Sequence, residues 1–175
     1  METTSKNIVL VGLMGSGKTT IGRRLAHELN QDFFDTDDEI IVKTGVTIDH
    51  IFDIEGEEGF RERESKILEN LCKMSNIILA TGGGIVILPK NRKILKNTGL
   101  VVYLSSSLKQ LLRRTAKSKT RPLLENSSDR MKTITELVEV RDVYYREVAS
   151  FIVDTTGKKL HEVVNIIKRE VKNVE

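Results

Sequence analysis

Eight residues near the start of the chain, Gly12-Leu13-Met14-Gly15-Ser16-Gly17-Lys18-Thr19, constrain its fold more than any other stretch. They match the pattern G-x-x-x-x-G-K-[ST] in full. The flanks fit the same pattern. Ile8 to Val11 is a short apolar run that reads as a buried strand, and Lys18 to Asn30 carries Ile21, Leu25 and Leu29 at helical spacing. A glycine-rich turn between strand and helix can fold its backbone around phosphate oxygens with the N–H groups pointing inward. The helix dipole adds to that attraction. Lys18 supplies charge to the β- and γ-phosphates of a nucleoside triphosphate, and the Thr19 hydroxyl can ligate Mg²⁺. The loop leaves open what accepts the phosphoryl group, because switches, motors and kinases all use it.

The remaining chain alternates strands with helices. Short apolar strands are expected at Phe33-Phe34, Ile77 to Ala80, Leu100 to Leu104 and Ser150 to Val153. Helices are expected around Ile48 to Phe52, Glu58 to Met74, Lys90 to Lys96, from Leu108 onward, Asp129 to Val148 and Leu160 to Val171. Pro89 enters one of these helices, and Ser105 to Ser107 can cap another. Strands apolar on both faces suit a parallel sheet buried between helix layers, so the expectation is a single three-layer α/β domain over residues 1–175. Residues 115–128 are polar and irregular and read as its mobile piece.

Composition excludes several alternatives. Hydrophobic residues make up 39% and charged residues 30%, as in a soluble domain with a core. No apolar run is long enough to span a bilayer, and Met1 to Asn7 lacks a secretory pattern. A net charge of +3, with dispersed basic residues and no Trp, suits small anions better than nucleic acid. Cys72 is the only cysteine, so no internal disulfide can form, which fits a reducing cytosol. Within its helical pattern it reads as a structural thiol.

A GTPase would carry Asn-Lys-x-Asp, which is absent. Asp53-Ile54-Glu55-Gly56 has the short Asp-x-x-Gly pattern but follows no apolar strand, and it reads as the end of a helix. A motor ATPase would end the Ile77–Ala80 strand with an acidic residue, yet Thr81-Gly82-Gly83-Gly84 follows. The metal carboxylate is therefore sought in Asp35-Thr36-Asp37-Asp38, after the second strand, at the sheet edge where α/β folds bind ligands. Asp35 could hold Mg²⁺ through water, and Asp37 could accept a hydrogen bond from a substrate hydroxyl. Helix-start chemistry is the alternative for both and the preferred reading of Asp38 and Glu39.

Arginine forks carboxylates and phosphates. Arg61 has Glu64 at i+3 to orient it, and Arg141 lies near Tyr145; each could equally be a solvated surface pair. Arg121-Pro122 sits in the irregular segment, as a closing loop of a kinase requires, or as an ordinary basic loop.

Together these residues resemble the shikimate kinase family. The match covers nearly the whole chain: Gly12 to Thr20, Asp35-Thr36-Asp37, Phe60-Arg61-x-x-Glu64, Gly82-Gly83-Gly84, Arg121-Pro122-Leu123-Leu124, and Arg141 followed by Tyr145. The ordered set is specific where the phosphate loop alone is generic. The resemblance implies a five-stranded parallel sheet of the nucleoside monophosphate kinase type. A substrate region would span about 35–64 and a lid about 115–128. It further implies transfer of a phosphoryl group from ATP to the 3-hydroxyl of shikimate by a cytoplasmic monomer that uses Mg²⁺.

The resemblance assigns ATP to Gly15, Ser16, Gly17, Lys18, Thr19, Thr20, Arg114, Arg121 and Lys158. It assigns shikimate to Asp37, Arg61, Glu64, Gly82, Gly83, Gly84 and Arg141, and the metal to Thr19 and, through water, Asp35. Lys18, Asp37 and Arg121 would be catalytic, and Arg114 would lie against the adenine. The turn Asp154 to Lys159 lacks a proline that some members place against the adenine, so contacts to the base carry over least securely. Two other readings compete. A gluconate-type sugar-acid kinase would lack this combination of motifs, and a non-catalytic nucleotide-binding regulator would have lost acceptor-site residues.

Overall fold

The computed structural model describes residues 6–116 and 128–174. Five parallel strands form one sheet: β1 (Asn7–Val11), β2 (Asp32–Asp35), β3 (Ile77–Ala80), β4 (Gly99–Ser105) and β5 (Phe151–Asp154), in the order β2-β3-β1-β4-β5. β1 pairs with β3 on one side and β4 on the other, so Ile8 lies level with Ile78 and Leu100. Period-two alternation then sends Ile8, Leu10, Ile78, Leu100 and Val102 to one face, and Val9, Val11, Leu79, Val101 and Tyr103 to the other.

The first face is covered by α1 (Lys18–Leu29) and the last helix, α7 (Leu160–Val174), through Ile21, Leu25, Val163, Val164 and Ile167. The second is covered by α3 (Ile48–Leu71), α4 (Pro89–Thr98), α5 (Leu108–Thr115) and α6 (Arg130–Val148), through Phe60, Leu68, Leu95, Leu111, Ile134 and Tyr145. The three-layer α/β expectation holds. Because β1 sits between strands reached by crossovers in opposite directions, the crevice beyond its carboxyl end is open, and the phosphate loop occupies that place.

Local signals set the helix ends. Ser107 accepts a hydrogen bond from Gln110 N at 3.3 Å, as its position before α5 anticipates, and Pro89 opens α4. The acidic start at Asp38 and Glu39 extends into a full helix, α2 (Thr36–Thr44). Ile40-Ile41-Val42 looks strand-like, but the Asp35 cap and a left-handed Gly45 hold the segment helical. The two expected helices after residue 47 run together as α3 and are divided only by Gly56, whose φ of 69° breaks the helix where Asp-x-x-Gly reads as a helix end.

Asn7 aligns the strands at the start of the sheet. Its amide donates to Met74 O at 2.7 Å and accepts from Ile77 N at 3.1 Å, while its backbone lies level with Gly99. Gly99 has φ 153°, and a β-carbon there would collide with the Asn7 carbonyl. Gly45, by contrast, has open space around it. Gly99→Ala should therefore destabilise the protein by roughly 2–4 kcal/mol, and Gly45→Ala by only about 1 kcal/mol. Urea-unfolding midpoints measure both; equal shifts would contradict the steric account.

Candidate active site

The glycine-rich loop runs from the end of β1 into α1. Gly12 must be glycine because a β-carbon would meet the Leu104 carbonyl at 2.6 Å. The Lys18 ammonium donates to Gly12 O at 2.7 Å and Leu13 O at 3.0 Å, with Ser16 Oγ at 3.5 Å. These groups open onto a cleft of about 600 Å³. Gly15, Gly17, Lys18, Thr19 and Thr20 line its floor, while Ser16 is buried beneath it.

Across the floor stands Asp35. One carboxylate oxygen accepts the Thr19 hydroxyl at 2.7 Å, and the other caps α2 by accepting Asp37 N at 2.9 Å. Helix-start chemistry and a site on the cleft are thus the same residue, and the two alternatives for Asp35 merge. Asp37, in the first turn of α2, also lines the cleft. Burial pushes its carboxyl up to about 7, with the charges of Asp35 and Glu64 adding to the effect and Lys18 and Arg61 opposing it. Asp38 keeps the bland reading, a solvated pair with Arg23 at 3.4 Å.

The acceptor end is built on the turn after β3. Arg61, 7% exposed, donates to Glu64 at 2.8 Å and to Glu57 at 3.2 Å. Burial works against its charge, but the two glutamates outweigh burial and its pKa rises. Burial in turn raises the Glu64 carboxyl, against the pull of Arg61 and Arg141. One Glu64 oxygen and the Arg61 Nε are buried without a hydrogen-bond partner. The glycines make room for this pair. A β-carbon on Gly84 would run into the Arg61 guanidinium, and one on Gly82 would meet Glu64 at 2.5 Å and Asp37 at 3.1 Å.

Gly83 faces Arg141, and its carbonyl accepts the Tyr145 hydroxyl. Arg141 is 3% exposed, and among the described residues no carboxylate lies within ion-pair distance of it. The surface-pair readings of Arg61 and Arg141 are therefore corrected: both are buried, because α3 and α6 turn those faces onto the second side of the sheet.

At the other end, Arg114 donates to Gly15 O at 3.2 Å, and Lys158 lines the opposite wall with Thr155 and Leu160. Arg121 and nearly all of the lid region lie outside the described residues. Thr36 escaped the sequence reading. It is fully buried, and its hydroxyl accepts Gly82 N at 2.9 Å, which pins the glycine turn to the start of α2. Its place between two cleft-facing aspartates was the available signal. Ile48 and Phe52, which line the acceptor end, gave none beyond helical spacing.

The doubly covered parallel sheet, with a phosphate loop at its switch point and an anion-binding acceptor end in the same cleft, defines a small P-loop phosphotransferase. Comparison with known proteins narrows the class. The profile of the shikimate kinase family matches residues 14–172, and the chain belongs to that family. A shikimate kinase of Thioalkalivibrio sulfidiphilus (strain HL-EbGR7) is 52% identical over 167 residues, covering 95% of this chain and 87% of that one. A solved shikimate kinase from Acinetobacter baumannii in complex with shikimate superposes with a TM-score of 0.95 at 42% identity, covering 98% and 96% of the two chains. A gluconokinase from Sinorhizobium meliloti 1021 shares the fold at a TM-score of 0.61 and 19% identity, covering 98% and 96%. The protein is an ATP-dependent kinase.

The Asp37 environment has a measurable consequence in the free protein. An unfolded aspartate titrates near 3.9, so the folded state binds the extra proton between about pH 4 and pH 7. The burden of the buried charge is absent below the unfolded pKa and complete above the folded one. Asp37→Asn should accordingly stabilise the protein, in the presence of a chelator, by roughly 2–4 kcal/mol at pH 8, with the gain fading toward pH 4. Denaturation across that range checks it; a pH-independent difference would sink the assignment.

Proposed function

We propose that this chain transfers the γ-phosphoryl group of ATP to the 3-hydroxyl of shikimate, giving shikimate 3-phosphate and ADP. The observation that carries the proposal is Arg141, buried in the same cleft as Arg61 and the phosphate loop with, among the described residues, no carboxylate at ion-pair distance. A buried guanidinium lacking an anion is costly, and a substrate carboxylate relieves that cost. Asp37 lies between that pair and the loop, where a ring hydroxyl would have to sit. The pathway implied is aromatic amino-acid biosynthesis.

In this reading Arg61 and Arg141 hold the shikimate carboxylate, and Glu64 fixes the Arg61 fork. The backbone of Gly82 to Gly84 closes one side of the ring. Asp37 accepts a hydrogen bond from the attacking hydroxyl and aligns it. Orientation is the role assigned to it, because a loose phosphoryl-transfer transition state needs little deprotonation. Lys18 and the loop amides neutralise charge on the transferring group. Thr20 sits with them at the phosphates, and Arg114 and Lys158 flank the base. Arg121 is assigned to the ATP phosphates from its sequence context alone.

Thr19 and Asp35 offer a hydroxyl and a carboxylate oxygen side by side, the hard donors that Mg²⁺ prefers. Among the described residues no three His, Cys, Asp or Glu side chains gather into a metal cluster. Bound there, Mg²⁺ would neutralise phosphate charge. The same reading makes the protein a cytoplasmic monomer in which about 35–64 is the substrate region and about 115–128 the lid. Among the described residues no helix is long and apolar enough to cross a membrane.

A coupled ADP-release assay tests the reaction. MgATP with shikimate should release ADP, and gluconate should give none. Asp37→Ala should lower kcat by about 10²–10³. Release with gluconate but not shikimate would replace the acceptor. Arg141→Leu should raise the KM for shikimate by roughly 10–100-fold and leave the KM for ATP unchanged. A rise in the KM for ATP alone would move Arg141 to the nucleotide.

A further inference from the structure

Gln110 is buried on α5, on a helix face otherwise filled by Leu111 and Thr115. Its side-chain oxygen accepts Gly157 N at 3.0 Å. Its side-chain nitrogen donates to Ser106 Oγ at 2.7 Å and Thr155 O at 3.1 Å, with Thr155 Oγ1 at 3.4 Å. One amide thus fastens both ends of the Thr155–Gly157 turn, 45 to 47 residues away, to the helix that carries Arg114 one turn further on. Arg114 bridges to Gly15 O on one wall of the cleft, and Thr155, Lys158 and Leu160 form the other.

The phosphate loop defines where the triphosphate lies, and Asp37, Arg61 and Arg141 take the acceptor end. The base of the nucleotide is left to the gap between Arg114 and the Thr155–Lys158 turn. That turn contains no proline to stiffen it. Its rigidity comes from bonds: Thr155 Oγ1 to Ser105 O at 3.0 Å, Lys158 N to Thr155 O at 3.2 Å, and the Gln110 amide. Two bonds join the turn to the Arg114 helix: Ser107 N to Thr156 Oγ1 at 2.9 Å at the helix cap, and, from within the helix, the Gln110 amide. We propose that Gln110 is a positioning residue that sets the width of the base-binding gap by tying its two walls together, and so governs how tightly the adenosine part of the nucleotide is held. The proposal rests on the nucleotide orientation given above, but not on shikimate as acceptor.

The test separates the base from the phosphates. Titration calorimetry on the whole protein measures binding of ADP and of inorganic tripolyphosphate, which has no base. Gln110→Met preserves length and volume but removes every hydrogen bond. Gln110→Glu keeps the acceptor for Gly157 N and removes the donors, and it serves if the methionine variant does not fold. Either variant should weaken ADP roughly tenfold while tripolyphosphate changes less than about twofold. In turnover, the KM for ATP should rise with kcat at saturation held within about twofold. Equal weakening of both ligands, or no weakening of ADP, would overturn the proposal, as would a wild-type protein that binds ADP no better than tripolyphosphate. Absence of shikimate phosphorylation would remove the acceptor assignment and leave this comparison intact.

Discussion

The Asp35 carboxylate joins the two halves of the cleft. One oxygen starts α2 by capping Asp37 N, and the other holds the Thr19 hydroxyl in the first turn of α1. Both bonds are charge-assisted, the stronger kind. They set the first turn of the nucleotide helix against the first turn of the acceptor helix. The adjacent residue completes the link, because the Thr36 hydroxyl takes Gly82 N. Two consecutive residues, Asp35 at the end of an edge strand and Thr36 at the start of α2, therefore register the phosphate loop, the acceptor helix and the glycine turn. A shift of β2 along β3 would break the contacts to Thr19 and Gly82 together, and the pairing of Asp35 with Ala80 keeps that register.

The triple glycine follows from charge as much as from substrate approach. Sequence reasoning explains missing side chains by the nearness of a ligand. The structure adds that the space is already taken by Arg61, Glu64 and Arg141. A buried ion pair such as Arg61–Glu64 contributes little net stability, since desolvation offsets the attraction. Its use here is orientation. Glu64 occupies one edge of the Arg61 guanidinium, and Glu57, more exposed, reaches it from the rim. Arg61, Arg141 and Glu64 all line the same cleft.

Legibility in the sequence followed the range of the interactions. The strands, the phosphate loop and the Ser107 cap are local patterns, and each could be read from neighbouring residues. α2 was only half visible, because its middle is β-branched and its stability comes from the caps at Asp35 and Gly45. Asp37, Arg61 and Arg141 were identifiable as an ordered set, although no single one of them stood out from a charged surface. Thr36 and Gln110 were not legible. Their function lies in hydrogen bonds that span about 46 residues; beyond the place of Thr36 between two aspartates, nothing local separates such a role from ordinary packing.

The free cleft is electrostatically unsatisfied in a consistent direction. Asp35, Asp37 and Glu64 crowd together at the acceptor end, and the Asp37 carboxyl is pushed up to about 7 as a result of burial and its acidic neighbours. Among the described residues no carboxylate lies at ion-pair distance from buried Arg141, and a Glu64 oxygen is buried without a donor. In the proposed assignment Arg141 takes the carboxylate of a small hydroxylated acid and Asp37 takes a hydroxyl. Such a site gives up folding stability so that the ligand, when it binds, replaces poor internal contacts with good ones. Discrimination follows from the same arrangement. Under that assignment, an acceptor without the carboxylate would give Arg141 no ion-pair partner, and one without the ring hydroxyl would give Asp37 no substrate hydrogen bond. Either omission retains a desolvation cost that the correct substrate removes.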